Sequence, residues 1–148
     1  MRKQALRTIS VLSLLFLLTV ASAHAQSAKS IVVTIPFDFN VAGKMLPAGE
    51  YIVRRATQNT SEGWQISLKD GRAGAFVLTM SIQAGAVNEN SRLVFNRYDD
   101  QYFLSQVWTS GDSDGRGLVR SGKERSLDRE MAKKGAKRQT IAVISRKQ

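Results

Sequence analysis

The chain of 148 residues contains no cysteine, one histidine and two prolines. Without cysteine there is no disulfide, so a folded domain must stand on packing alone. The one histidine, His24, falls in an N-terminal stretch that reads as removable. What remains has neither His nor Cys. That excludes Ser-His-Asp and Cys-His catalysis, a histidine general base, and any His or Cys metal site. Long apolar runs are also scarce. Ile9 to Val20 is one, and it is too short to span a bilayer, which takes about 20 residues.

Arg2, Lys3 and Arg7 precede that run, and Ala21-Ser22-Ala23-His24-Ala25 follows it with small residues at cleavage spacing. Residues 1–25 are therefore expected to be a secretory signal peptide, cut after Ala25 to leave Gln26 first. No cysteine follows the run, which excludes a lipid-anchored form. The expected product is a secreted protein, periplasmic or extracellular. It is one β-rich domain over residues 26–148, with no transmembrane segment after cleavage and enough chain to bury a core.

Charge is unevenly placed. Gln26 to Gly115 carries eight Lys or Arg against nine Asp or Glu, whereas Arg116 to Gln148 carries eleven against three. The basic character belongs to a C-terminal segment, 116–148.

The rest reads mainly as strands. Ile31-Val32-Val33-Thr34-Ile35 is β-branched, and Pro36 after it suggests an edge or a bulge. Phe37, Phe39 and Val41 alternate with Asp38 and Asn40. Leu46-Pro47-Ala48-Gly49 reads as a tight turn, and Tyr51 and Val53 resume the alternation. Trp64, Ile66 and Leu68 alternate with polar residues, and Phe76, Leu78, Met80 and Ile82 alternate with Val77, Thr79 and Ser81. Two registers connect these runs. A two-residue Asp70-Gly71 turn pairs Gln65 with Phe76 and sets the Trp64 face opposite Ala73, Ala75 and Val77. A three-residue loop, Lys69-Asp70-Gly71, pairs Trp64 with Phe76 and Ile66 with Gly74. The second gathers the large apolar residues on one face and is the expected register, with Gly71 at positive φ. Leu93 to Tyr98 and Gln101 to Thr109 form a hairpin around Asp99-Asp100. Both faces of it carry apolar groups, so alternation does not assign its register.

Ser121-Gly122-Lys123-Glu124 has capping-box spacing. Lys123 to Lys134 follows as the one helix, with Gly135 to close it and an apolar stripe of only Leu127 and Met131. Ile141 to Ile144, flanked by Lys137-Arg138 and Arg146-Lys147, reads as a final strand guarded by charge. The sum is a mainly β fold, a small antiparallel β-sandwich or barrel with one C-terminal helix.

The run from Pro36 to Tyr51, PFDFNVAGKMLPAGEY, resembles an uncharacterised family of small secreted bacterial β-proteins. Leu93-Val94-Phe95-Asn96-Arg97-Tyr98 and Tyr102 to Trp108 fit the same pattern. The resemblance implies a fold and supplies no activity and no catalytic residue. Leu46-Pro47-Ala48-Gly49-Glu50-Tyr51 is also similar to a piece that recurs in immunoglobulin-like and prealbumin-like sandwiches.

Chemistry-bearing candidates are few. Ser110 to Gly117 begins like a calcium loop, but the third side-chain ligand is missing and Lys123 stands where the closing Glu belongs. Ser121 with Lys123, or Ser67 with Lys69, has Ser-Lys spacing that arises readily by chance. Asp99-Asp100 sits on a tight turn, where adjacent carboxylates point apart. Trp64, Trp108, Tyr51, Tyr98 and Tyr102 could line a sugar site, and their alternation places them rather in the strand core. No catalytic, cofactor or metal residue is assigned, and no enzyme activity is expected. The basic cluster Lys133, Lys134, Lys137 and Arg138 is the one functional lead, toward an anionic envelope component or an acidic protein. Nucleic acid is not the expected partner, because all ten aromatics after residue 25 lie between Phe37 and Trp108 and none interleaves with the cations. The expected function is a non-enzymatic binding module of the cell envelope. The alternatives are a structural envelope protein and, behind it, a small hydrolase using carboxylates alone.

Overall fold

The computed structural model describes residues 29–57 and 62–145. The signal peptide, the cut at Ala25, His24 and the Arg146-Lys147 flank lie outside the described residues. Among those described, the chain forms ten strands and one helix. In order these are β1 (Ser30–Ile35), β2 (Phe39–Val41), β3 (Lys44–Leu46), β4 (Gly49–Arg55), β5 (Gly63–Leu68), β6 (Gly74–Gln83), β7 (Arg92–Tyr98), β8 (Gln101–Trp108), β9 (Asp114–Leu118), α1 (Gly122–Lys133) and β10 (Gln139–Ile144).

The strands make two layers that do not close into a barrel. The first layer runs β1-β4-β5-β6, all antiparallel. The second runs β6-β9-β8-β7-β10, also antiparallel, with the β2–β3 hairpin joined to β8 in parallel at Asn40 and Phe103. Strand β6 belongs to both. Its residues Gly74 to Leu78 pair β5, and Thr79 to Gln83 pair β9. At the other margin β10 comes close to β1. The result is a β-sandwich with one C-terminal helix.

Alternation fills the space between the layers. Ile31, Val33 and Ile35 on β1, Tyr51 and Val53 on β4, and Trp64 and Ile66 on β5 face Leu93, Phe95, Leu104 and Val107 of the second layer. Phe39, Val41 and Leu46 complete the core, and Phe39 meets Tyr51 and Phe95 edge to face, at 5.2 and 5.4 Å. The Pro36–Tyr51 stretch is thus structural. Tyr51 Oη donates to the Pro47 carbonyl at 2.6 Å, and the Ala48 N–H donates to Asp38 Oδ1 at 2.7 Å, which ties the turn to the link between β1 and β2.

Two expectations change, and one register left open by the sequence is set. The β5–β6 hairpin takes the other register: Gln65 pairs with Phe76, Trp64 with Val77 and Ile66 with Ala75. Trp64 is buried while Phe76 is exposed, so they lie on opposite faces. The loop spans Lys69 to Arg72. The Gly71 N–H closes a turn on the Leu68 carbonyl, the Leu68 N–H bonds the Ala73 carbonyl, and Gly71 has φ +77°. Small Ala73 and Ala75 then oppose bulky Leu68 and Ile66, and the inter-sheet space is filled without the large residues of β6. Second, the Ser110–Gly117 loop ends early, because Asp114 to Leu118 is a strand inserted between β6 and β8. Its glycines are what make room there: a Cβ on Gly115 would stand 2.5 Å from the Trp108 ring. In the register left open, the β7–β8 hairpin has a bulge between Val94 and Phe95, which shifts parity part-way along.

Candidate functional site

The C-terminal segment is built on a polar anchor. Ser121 caps α1, its Oγ accepting the Glu124 N–H at 3.2 Å as the capping spacing predicts. Gly135, at φ +70°, closes the helix, and the Ala136 N–H reaches back to the Met131 carbonyl. Leu127 and Met131 are only half-buried. The fully buried residue of the helix is Glu124, 3% exposed. Its Oε1 accepts from Asn96 Nδ2 at 2.8 Å and from Tyr98 Oη at 3.3 Å, both on β7. Burial, with Glu124 and then Asp128 adding to it, pushes the Tyr98 phenol up to about 12. This polar anchor explains why β7 and β8 carry apolar residues on both faces. One face meets the core. The other places Val94, Asn96, Tyr98 and Phe103 out of water on the helix side, with Tyr98 edge-on to Phe103 at 5.6 Å.

The four predicted cations divide. Lys133, Lys134 and Lys137 are exposed and make no ion pair among the described residues. Arg138 approaches Asp128 at 3.6 Å, and Arg120 holds the same carboxylate at 2.9 Å. Arg138, just before β10, therefore turns its charge toward Asp128 of α1. The three lysines form a ridge from the helix end to the start of β10. Beside it lies a shallow hollow of about 200 Å³ lined by Arg97, Asp99, Met131, Lys137 and Gln139. Arg97 is already engaged there: its Nε donates to the Asp99 carbonyl at 2.7 Å and its guanidinium lies over Tyr102.

The other candidates take structural positions. Tyr51, Tyr98, Trp64 and Trp108 are buried, and Tyr102 stacks on Phe37 with centroids 3.9 Å apart. Arg92 covers Trp108, whose Nε1 donates to Gln106. Asp112 pairs with Lys29, and Asp114 opens β9. Among the described residues no three His, Cys, Asp or Glu side chains converge as metal ligands. A second hollow, about 340 Å³, lies between the Ala48–Glu50 turn and the Leu68–Arg72 loop. Its charges are matched, Lys69 with Glu50 and Arg72 with Asp70, and the Arg72 guanidinium holds the Asp70 carboxyl below its ordinary value.

Sequence reasoning missed one surface feature. Phe76, Leu78 and Met80 form an outward stripe on β6, exposed at 70, 75 and 61%. The signal was the alternation itself, assigned to the wrong face. No described helix is long and apolar enough to cross a membrane. Comparison with family models, with curated proteins and with solved structures gives no match.

Proposed function

We propose that the protein is a secreted, non-enzymatic binding module of the cell envelope whose lysine ridge engages an anionic surface. On this reading it sits with the small secreted bacterial proteins that its Pro36–Tyr51 stretch resembles. The observation that carries the proposal is the exposure of Lys133, Lys134 and Lys137 together, beside a helix whose Glu124 is buried and whose Asp128 is shared by Arg120 and Arg138, so that Glu130 is the one exposed carboxylate of α1 near three lysines. Three clustered ammonium groups on a scaffolded helix end attract anionic headgroups or acidic polysaccharide through Coulomb forces, which salt screens within about 10 Å.

The test is co-sedimentation with anionic vesicles, and with an acidic polysaccharide, across a salt series. Each headgroup-facing cation contributes about 1 kcal/mol, so replacing the three lysines by Gln should weaken binding by roughly a hundredfold at low salt. Arg138 is left in place because its charge already faces Asp128. Retention equal to that of the wild type, or retention indifferent to salt, would sink the proposal.

A further inference from the structure

We infer that the hollow beside the lysine ridge takes one uronic acid unit of an acidic polysaccharide, its carboxylate on Lys137 and its ring hydroxyls on Asp99 and Gln139. This builds on the anion-binding ridge proposed above and gives its partner a chemical class. The hollow, about 200 Å³, is lined by Arg97, Asp99, Met131, Lys137 and Gln139. Three separate pieces of chain supply these residues: the end of β7 with the turn after it, the last turns of α1, and the start of β10 with the link before it. Asp99 and Lys137 carry opposite charges and line the same hollow, yet no ion pair joins them among the described residues. Asp99 sits at φ +51° in the β7–β8 turn, and the Arg97 Nε takes its carbonyl, not its carboxylate. The Arg97 guanidinium leans instead toward Asp100, at 3.7 Å, and over Tyr102. The Asp99 carboxylate is thus left as an acceptor, and the Lys137 ammonium as a donor, on the walls of one hollow.

This set of side chains selects the ligand. A phosphate or sulfate ester presents anionic oxygens on several sides and meets the Asp99 carboxylate as like charge, which is unfavourable. A uronic acid gathers its charge in one carboxylate and carries hydroxyls on the neighbouring carbons. The carboxylate accepts from the Lys137 ammonium, the hydroxyls donate to the Asp99 carboxylate, and the Gln139 amide serves either way. Half-buried Met131 offers an adaptable apolar floor to the C–H face of the ring. The volume is below the roughly 300–1,000 Å³ of pockets that enclose a whole small molecule, so it fits one unit of a longer chain. The neighbouring units then run along the ridge, where Lys133 and Lys134 are exposed to their carboxylates.

Isothermal titration calorimetry at low salt, with oligogalacturonate and with dextran sulfate, tests the assignment. Asp99→Asn is the deciding variant, because Asn keeps the shape and tolerates the positive φ, and its circular dichroism spectrum should match the wild type. Taking a negative charge from beside a basic ridge tightens purely Coulombic binding, and dextran sulfate should bind Asp99→Asn more tightly. Oligogalacturonate should instead bind about fivefold more weakly, since the charged acceptor of its hydroxyls is lost. Replacing the three lysines by Gln should weaken both. Oligogalacturonate binding that tightens or stays level in Asp99→Asn overturns the inference and leaves the lysine ridge standing. So does a protein that binds dextran sulfate and not oligogalacturonate. No binding of either polyanion or of anionic vesicles overturns the ridge and the hollow together. Binding of phosphatidylglycerol vesicles that Asp99→Asn weakens, with no binding of oligogalacturonate, would overturn the sugar assignment and give the hollow to a lipid headgroup.

Discussion

Glu124 carries more of the C-terminal architecture than its charge suggests. It is buried, it lies in the first turn of α1, and it is the acceptor for Asn96 and Tyr98. Replacing it by Ala leaves two buried donors without an acceptor, each worth about 1–3 kcal/mol. Glu124→Ala should therefore lower stability by about 2–4 kcal/mol in urea melts. Glu124→Gln, which keeps an acceptor oxygen, should lose about 1 kcal/mol or less. Equal losses from the two would mean that the carboxylate charge, and not the acceptor, is what matters. Tyr98 extends the point to pH. Its folded-state value, about 12, lies above the ordinary 10.0, so the native state holds the phenolic proton more tightly. That contribution, on the order of 2–3 kcal/mol, is complete below pH 10 and is lost as the pH rises toward 12. Denaturant midpoints of wild type should fall across that window while those of Tyr98→Phe, lower at neutral pH, fall less. Parallel curves would remove Tyr98 from the account.

At the scale of elements, legibility followed how many neighbours a residue's placement depends on. The cap at Ser121, the closing Gly135 and the positive φ at Gly71 are local, and each stands where the sequence put it. Gly71 has no atom within 4 Å of a built Cβ, so Gly71→Ala should cost about 1 kcal/mol from backbone strain alone, and Gly71→Val more. An unchanged melting temperature for Gly71→Val would refute this. Register is not local. Both parities of β6 alternate, and the rule that large apolar residues face inward chose Phe76, Leu78 and Met80. The core instead accepted Ala73, Ala75 and Val77, because the facing residues Trp64, Ile66 and Leu68 already fill the space. Strand β9 was illegible for a related reason. Its Gly115 and Gly117 look like loop residues until the Trp108 ring and the Ile82 side chain are seen lying over them. The lysine ridge was readable as charge, but not the division within it, since the pairing of Arg138 with Asp128 depends on how β10 returns past the helix.

For the molecule as a whole, the two surface features lie at opposite margins of the second layer, β6 at one edge and β10 with its preceding lysines at the other. The margin at β6 is also where the two layers share a strand. Pulling either layer open breaks bonds in that one strand, so the layers have no separate melting to undergo. In hydrogen–deuterium exchange, the β6 amides bonded to β5 and those bonded to β9 should go at a common slow rate, set by whole-domain unfolding, while β10 exchanges first. Two distinct rates along β6 would show that its halves open on their own.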